Sequence, residues 1–316
     1  MPDKKIIVIG AVNVDICGTS DKQLILYDSN PGTASATYGG VGRNIAENLC
    51  RLGYHVDMIT VLGDDTFTEQ LVQASEAVGI GFEHSMRIKG GVCSKYISIN
   101  NANGDMIMAV SDMAIYDQMS VEFISSQMDF INSADMVMLD TNIPEPVLTY
   151  VAENCKVPMA VDTVSTTKAL KIRNTIDRFS LIKPNMYECE ALSGIKIEDD
   201  VTLKKGAQYF TDKGVRYTFI SLAEEGVYYT DGTNEGTLPI CSAYPVVNVS
   251  GCGDAFFSAA IDAYLKGYDI RKMGAAGECA AAICAKGMGT ISEELTAEHL
   301  EQLMEEYCKG GNFYEA

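Results

Sequence analysis

The chain has 316 residues, 47% of them hydrophobic and 21% charged, enough apolar material for one large core or two modest ones. Its formal charge of −19 argues against a nucleic-acid-binding surface, because neutralising phosphates needs clustered Lys and Arg, yet a nucleotide can still bind through backbone amides and a metal ion. The ten cysteines are scattered without a C-x-x-C pair, which disfavours zinc or thioredoxin-like chemistry, and no run of about 18 apolar residues predicts a membrane span.

From the N-terminus, the apolar run is too short for a signal peptide and passes straight into a strand at Ile6–Ile9, so the expected location is the cytoplasm. Gly10-Ala-Val-Asn13-Val-Asp15 follows. Strand alternation points Asn13 and Asp15 the same way. An Asp accepting two sugar hydroxyls is a common solution to carbohydrate recognition, and turn chemistry for Asn and Asp is the plainer alternative. Ile16 to Tyr38 holds no convincing helix. Next comes Tyr38-Gly-Gly-Val-Gly-Arg-Asn44, leading into a helix over Asn44–Leu52 that ends at Gly53. Close backbone approach at Gly39 and Gly40 suits a polyhydroxylated ligand, and Asn44 can donate and accept hydrogen bonds.

A strand at Val56–Val61 and a helix at Thr68–Ala77 precede a hairpin over Val92–Val110, whose strands meet at Asn103-Gly104, a strong turn signal. With the 14–38 region this hairpin predicts a small β-sheet apart from the main domain. It would be a lid over the pocket, formed by about 14–38 and 92–110 of one domain spanning 1–316, unless it is an insertion without a role. The Met-rich 106–119 stretch reads as lid and core packing. Strands then follow at Met136–Leu139, Met159–Val161, Leu181–Ile182 and Tyr217–Leu222, with helices at Pro146–Glu153 and Leu203–Lys213. Apolar strands alternating with helices predict a Rossmann-like, doubly wound, mostly parallel α/β sheet covered on both faces.

Near the C-terminus a strand-like run, Ala243–Val249, ends in Gly251-Cys252-Gly253-Asp254, and an apolar helix continues to about Leu265. The amides of residues 251–254 would sit at a helix N-terminus, where donors and dipole favour an anion such as a transferring phosphoryl group. Asp254 in the same turn could take a proton from an attacking hydroxyl; helix capping is the alternative role. Ala275–Ala285 reads as a tightly packed helix whose edge, at Cys279, would line an adenine site. His55, His84 and His299 lie outside every motif. The turn after the first strand lacks G-x-G-x-x-G and no P-loop motif occurs, so a nicotinamide dehydrogenase and a P-loop enzyme are both disfavoured.

The glycine run at 38–44 and the turn at 251–254, in this order, resemble the two signatures of the ribokinase-like (PfkB-type) carbohydrate and nucleoside kinases. Lys183-Pro-Asn185-Met-Tyr-Glu188 is similar to the family's N-x-x-E motif, and Ser221-Leu-Ala-Glu-Glu-Gly226 to its nucleotide-side turn, with Ala223 where a Gly is usual. The 39–49 run, Ser111-Asp112-Met113, Asp162-Thr-Val-Ser165 with Lys168, and Leu181-Ile-Lys-Pro-Asn185 are most similar to the pseudouridine-kinase subgroup, as is the Asn248-Val opening of the catalytic turn. Cys252 replaces the usual Ala but keeps the amide.

This resemblance implies ATP and Mg²⁺, and a small-molecule nucleoside or sugar as acceptor, with neither nucleic acid nor membrane as partner. The acceptor would contact Asn13, Asp15, Gly39, Gly40, Asn44 and Asp112. ATP would contact Asn185, Ser221, Gly226, Gly251, Gly253 and Cys279. Asn185 and Glu188, one turn apart on a helix face, would act on the metal through water. The implied reaction phosphorylates the 5′-hydroxyl of pseudouridine, with Asp254 as general base and the amides of Gly251, Cys252 and Gly253 holding the phosphoryl group. The family's lid often pairs two subunits, so a homodimer is expected. Potassium activation is frequent in the family, although no residue here marks a cation site. The rivals are another sugar or nucleoside kinase (ribose, adenosine or fructose) and a non-catalytic sensor on the same scaffold. Retention of Asp254, both loop glycines, Asn185 and Glu188 weighs against the sensor.

Overall fold

After Lys5 the first strand, β1 (Lys5–Ile9), is apolar at every position, so burying it requires cover on both faces. A computed structural model, which describes residues 4–309, provides that cover. Ile6 and Val8 enter one core layer, and Ile7 and Ile9 enter the other. After three residues the chain continues as β2 (Asn13–Ser20), returns as β3 (Gly32–Gly39) and enters α1 (Val41–Arg51). It proceeds through β4 (His55–Ile59), β5 (Val61–Leu62), α2 (Thr66–Ala77), β6 (Ile80–Gly81), β7 (Met86–Arg87), β8 (Lys95–Asn100) and β9 (Met106–Asp112). Next come α3 (Val121–Ser126), α4 (Met128–Ile131), β10 (Met136–Asp140), α5 (Glu145–Asn154), β11 (Met159–Asp162), α6 (Thr166–Ala169) and β12 (Leu181–Ile182). The remainder is α7 (Met186–Ser193), α8 (Asp200–Asp212), β13 (Tyr217–Ser221), β14 (Val227–Thr230), β15 (Glu235–Leu238), α9 (Cys252–Leu265), α10 (Ile270–Ala285) and α11 (Ala297–Lys309).

The main sheet has the order β15-β14-β13-β12-β11-β10-β1-β4-β6. It is parallel from β6 through β13 and antiparallel at β14 and β15. Helices α1, α9, α10 and α11 pack on one face, and α3, α5, α7 and α8 on the other. The chain leaves β1 toward β4 and β6, then returns to β10 on the opposite side of β1. Strand order therefore reverses between β1 and β10, where a doubly wound sheet opens a crevice beyond its carboxyl ends. No helix among the described residues is long and apolar enough to cross a membrane.

The expected small sheet is present, with order β3-β2-β8-β9, and both predicted segments supply it. β2 pairs antiparallel with β3 and β8 with β9, while β2 and β8 run parallel. The predicted turn closes at Gly104, whose amide donates to Asn101 O at 3.0 Å.

Two predicted strands differ. Val56–Val61 divides at Thr60, because β5 leaves the main sheet to pair with β7. Residues 243–249 form no strand: the amides of Val247 and Asn248 both donate to Ala285 O at the end of α10, and Val246, Val247 and Val249 remain exposed. Apolar, β-branched composition alone does not make a strand, because β propensity is expressed only where the segment pairs with a neighbouring strand.

Candidate active site

β10 ends at the crevice with Asp140, which is fully buried. Its Oδ2 accepts from the amides of Ala11 and Gly42, both at 2.8 Å, and its Oδ1 accepts from Asn142 N at 2.8 Å. One carboxylate thus fastens the exit of β1 to the start of α1.

Beyond that junction Asn13 and Asp15 lie on the same side of β2, as alternation requires, and Asn13 Nδ2 donates to Asp15 Oδ1. Asn13 stands opposite Gly39. A Cβ on Gly39 would sit 2.1 Å from Asp15 Oδ2, and Gly40 turns at φ +100° with its own Cβ position 2.5 Å from Ala11 O. The two glycines make the room that this polar pair occupies. Burial raises the Asp15 carboxyl above the ordinary range, opposed by the Asn13 hydrogen bond and the Arg43 charge. Arg43 is buried, paired with Glu47 at 2.7 Å, and donates to Tyr38 O at 3.2 Å, which holds the glycine turn from behind.

Asn44, on the first turns of α1, is buried and donates through Nδ2 to Asp254 Oδ2 at 2.8 Å. Its Oδ1 is buried and has no partner among the described residues. A buried acceptor left without a partner is the kind of group that a ligand hydroxyl satisfies.

Asp254 is the third residue of α9. Gly251 is the N-cap, at φ +82°, and a Cβ there would lie 2.0 Å from Thr290 O. The capping alternative for Asp254 therefore fails, since its carboxylate engages Asn44 from within the first turn. Burial, reinforced by the charge of Asp162, pushes the Asp254 carboxyl up to about 7, against the pull of Asn44 and Lys183. Of the four amides expected to face an anion, Cys252 N is taken within the turn by Val249 O at 3.2 Å, whereas Gly253 is exposed.

Three charged residues complete the cluster: Asp140, which sequence reasoning did not name, and Asp162 and Lys183, which it quoted within motifs without giving them a role. Asp140 and Asp162 end adjacent parallel strands in register. Lys183 is buried, with Nζ 3.4 Å from Asp162 Oδ2 and 3.4 Å from where a Gly253 Cβ would be. Burial alone would discharge it, but Asp162, Glu188 and Asp254 outweigh that and hold its pKa above the ordinary value. The available signal was a charged residue closing an otherwise apolar strand at the carboxyl edge.

Asn185 and Glu188 do meet, though not as two residues on one helix face. Asn185 is the N-cap of α7: its Oδ1 accepts from Glu188 N, and Glu188 accepts from Asn185 N and Nδ2, each at 2.9 Å. Thr163 Oγ1 adds a bond to Glu188 Oε2 at 2.6 Å. Ser221 bridges Asn185 from the next strand. Gly226 closes the turn after β13, in which Ala223 adopts φ +55°, the left-handed conformation that the usual Gly would enter freely.

Two expected site residues stand apart. Asp112 is exposed at the end of β9, opposite Lys95, which is itself opposite Val14, so it lies two strands from Asn13 and Asp15 at the rim of the small sheet. Cys279, expected to face adenine, is completely buried in the core between α10 and its neighbours and offers no surface to a nucleotide.

Residues 3–297 match the pfkB family of carbohydrate kinases. The chain is 33% identical over 263 residues to the pseudouridine kinase of Escherichia coli, covering 83% of this chain and 84% of that one. It is 27% identical to the ribokinase of Bacillus subtilis, covering 95% of this chain and 99% of the relative. The structure superposes on a carbohydrate kinase from Agrobacterium tumefaciens with a TM-score of 0.84 and 26% identity, covering 96% and 97% of the two chains. With a match across nearly its whole length, a ribokinase-like fold and the two glycine motifs meeting at one crevice, the chain belongs to the pfkB family of carbohydrate kinases, phosphotransferases that act on hydroxyl groups of sugars or nucleosides.

Proposed function

We propose that this chain transfers the γ-phosphoryl group of ATP to the 5′-hydroxyl of a nucleoside, with pseudouridine the preferred acceptor and Asp254 the general base. The bond from Asn44 to Asp254 carries the reading, because it joins the acceptor-side glycine turn to the phosphoryl-side turn. The likeness to a pseudouridine kinase supports the choice of acceptor.

In this scheme the ribose-like ring lies on Asn13, Asp15, Gly39 and Gly40, with one of its hydroxyls donating to the unpartnered Asn44 Oδ1 and with Asp112 at the rim. Asp254 takes the 5′-hydroxyl proton as that oxygen bonds to the γ-phosphorus, and the bond from phosphorus to the ADP oxygen breaks. The amides of Gly251, Gly253 and Asp254 face the moving phosphoryl group at the start of α9. Asp162, Glu188 and Asp254 surround a single buried Lys183, a balance that would repel a bare triphosphate. The Asn185–Glu188 cap would hold the hydration water of a Mg²⁺ ion, which would supply the missing positive charge. Ser221 and Gly226 border the nucleotide, and the exposed Val246, Val247, Val249 and Met288 offer an apolar surface to its base. Dependence on ATP suits a cytoplasmic location. The small sheet serves as a lid on a single catalytic domain and as the contact between two subunits.

ADP release measured with pseudouridine, uridine, adenosine, ribose and fructose, with and without potassium, tests the reading. Pseudouridine is expected to have the highest kcat/KM. Preference for ribose would sink the acceptor assignment, and ligand binding without ADP production from any acceptor would sink the enzyme.

A further inference from the structure

The phosphoryl-side turn carries a cysteine as the first residue of α9. Cys252 is half-buried, and its Sγ lies 3.8 Å from Asn248 O. Cys284, in the last turn of α10, is 1% exposed. Its Sγ lies 3.8 Å from Ser250 O and 3.5 Å from Thr290 O. Both sulfurs therefore sit against carbonyls of the same short turn, Cys252 against Asn248 O and Cys284 against Ser250 O two residues on. Thr290 is also the residue against which Gly251 is packed.

We propose that Cys252 and Cys284 are a redox-modifiable pair, closed to a disulfide by a hydroperoxide, and that closure disables the turn holding Asp254.

The asymmetry between the two sulfurs assigns their roles. Cys252 is the more accessible, stands at a helix N-terminus, and has its thiol held below the ordinary pKa by the neighbouring Cys284 thiol, against burial and the Asp254 charge. Cys284 is shifted the other way, first by the neighbouring Cys252 and then by burial. Cys252 is thus the attacking sulfur. It takes the terminal oxygen of the hydroperoxide, the O–O bond breaks, and an alcohol leaves with one proton. Cys284 then attacks the Cys252 sulfur of the resulting sulfenic acid, the S–O bond breaks, and water leaves with the second proton. The two thiols lose two electrons in all, and the hydroperoxide gains them.

A disulfide holds its sulfurs about 2.05 Å apart, well inside any hydrogen-bonded contact, so closure draws Cys252 toward α10. Gly251, already packed on Thr290, leaves no slack on that side. The displacement falls on Cys252, Gly253 and Asp254. A misplacement of about 1 Å at a reacting group can cost 10²-fold in rate.

The loss of turnover rests on the kinase reading; the disulfide does not, and the experiment separates them. Reduced full-length protein is treated with hydrogen peroxide near stoichiometry, alkylated, and mapped without reduction by mass spectrometry, with ADP release from pseudouridine and ATP measured in parallel. A Cys252–Cys284-linked peptide is expected, with ADP release falling at least tenfold and returning on treatment with dithiothreitol. In Cys284→Ala, with Cys284→Ser as a second variant, basal ADP release is retained, no linked peptide forms, and dimedone labels Cys252 as a sulfenic acid. Peroxide-treated wild-type protein without that linked peptide overturns the pair. A fully formed link with undiminished ADP release overturns its effect on the turn. If no acceptor is phosphorylated even by reduced protein, the kinase reading fails and the mapping still decides the pair.

Discussion

Asn44 Nδ2 donates to Asp254 Oδ2 at 2.8 Å across 210 residues of sequence. One amide thus fixes the orientation of a carboxylate whose environment already holds it near neutrality. General-base catalysis contributes ~10²–10⁴-fold, so Asp254→Asn is expected to lower kcat by at least ~10²-fold while circular dichroism, Tm and ATP binding stay close to wild type. Near-normal turnover in that variant would remove Asp254 from its role.

The raised carboxyl predicts a pH profile. As the proposed base, Asp254 would act only when deprotonated, so kcat/KM should climb as pH rises through about 7 and level off above it. Rate measurements from pH 5.5 to 9 check this. A flat profile through that range would mean that the limiting proton transfer is not to Asp254.

Gly39 tests the acceptor side. A methyl group there would sit 2.1 Å from Asp15 Oδ2 and must displace it. Gly39→Ala should raise KM for the acceptor by roughly tenfold or more, the cost of losing a hydrogen bond to a charged group, with KM for ATP within about twofold. Equal effects on both substrates would place Asp15 outside the acceptor site.

Glu278 on α10 is buried, and desolvation, with Cys241 adding to it, raises its carboxyl to about 8. For a carboxyl raised on folding, stability is fully present below the unfolded pKa and is lost as pH rises through the folded value. Glu278→Gln should therefore raise Tm at pH 9 by at least about 2 °C and leave it nearly unchanged at pH 4.5. Calorimetry at the two pH values decides the point, and a variant less stable at pH 9 would refute it.

β9 exposes Met106, Ile107, Met108 and Val110, between 54% and 62% each, on the free edge of the small sheet. A contiguous apolar edge of this kind fits a subunit contact. If two copies meet there, Met108→Lys with Val110→Lys should weaken dimerisation at least about tenfold in sedimentation equilibrium, the effect of losing some 1.4 kcal/mol. Wild-type protein that sediments as a monomer would rule the contact out.

Local chemistry settled the elements in this chain, because period and turn preference are properties of neighbouring residues. The apolar strands, the Asn103-Gly104 turn and the shared side of Asn13 and Asp15 all follow from spacing alone. So does the glycine turn ahead of α1. What depended on packing between distant segments was not legible. The pairing of Asn44 with Asp254, the placement of Asp140, Asp162 and Lys183 around one crevice, and the parallel join of β2 to β8 are contacts between residues far apart in the chain. For the same reason 243–249 lies against the end of α10 instead of in a sheet, and Cys279 faces the core instead of a ligand. A side chain's burial and charge state are set by which elements close over it, and only the folded chain brings those elements together.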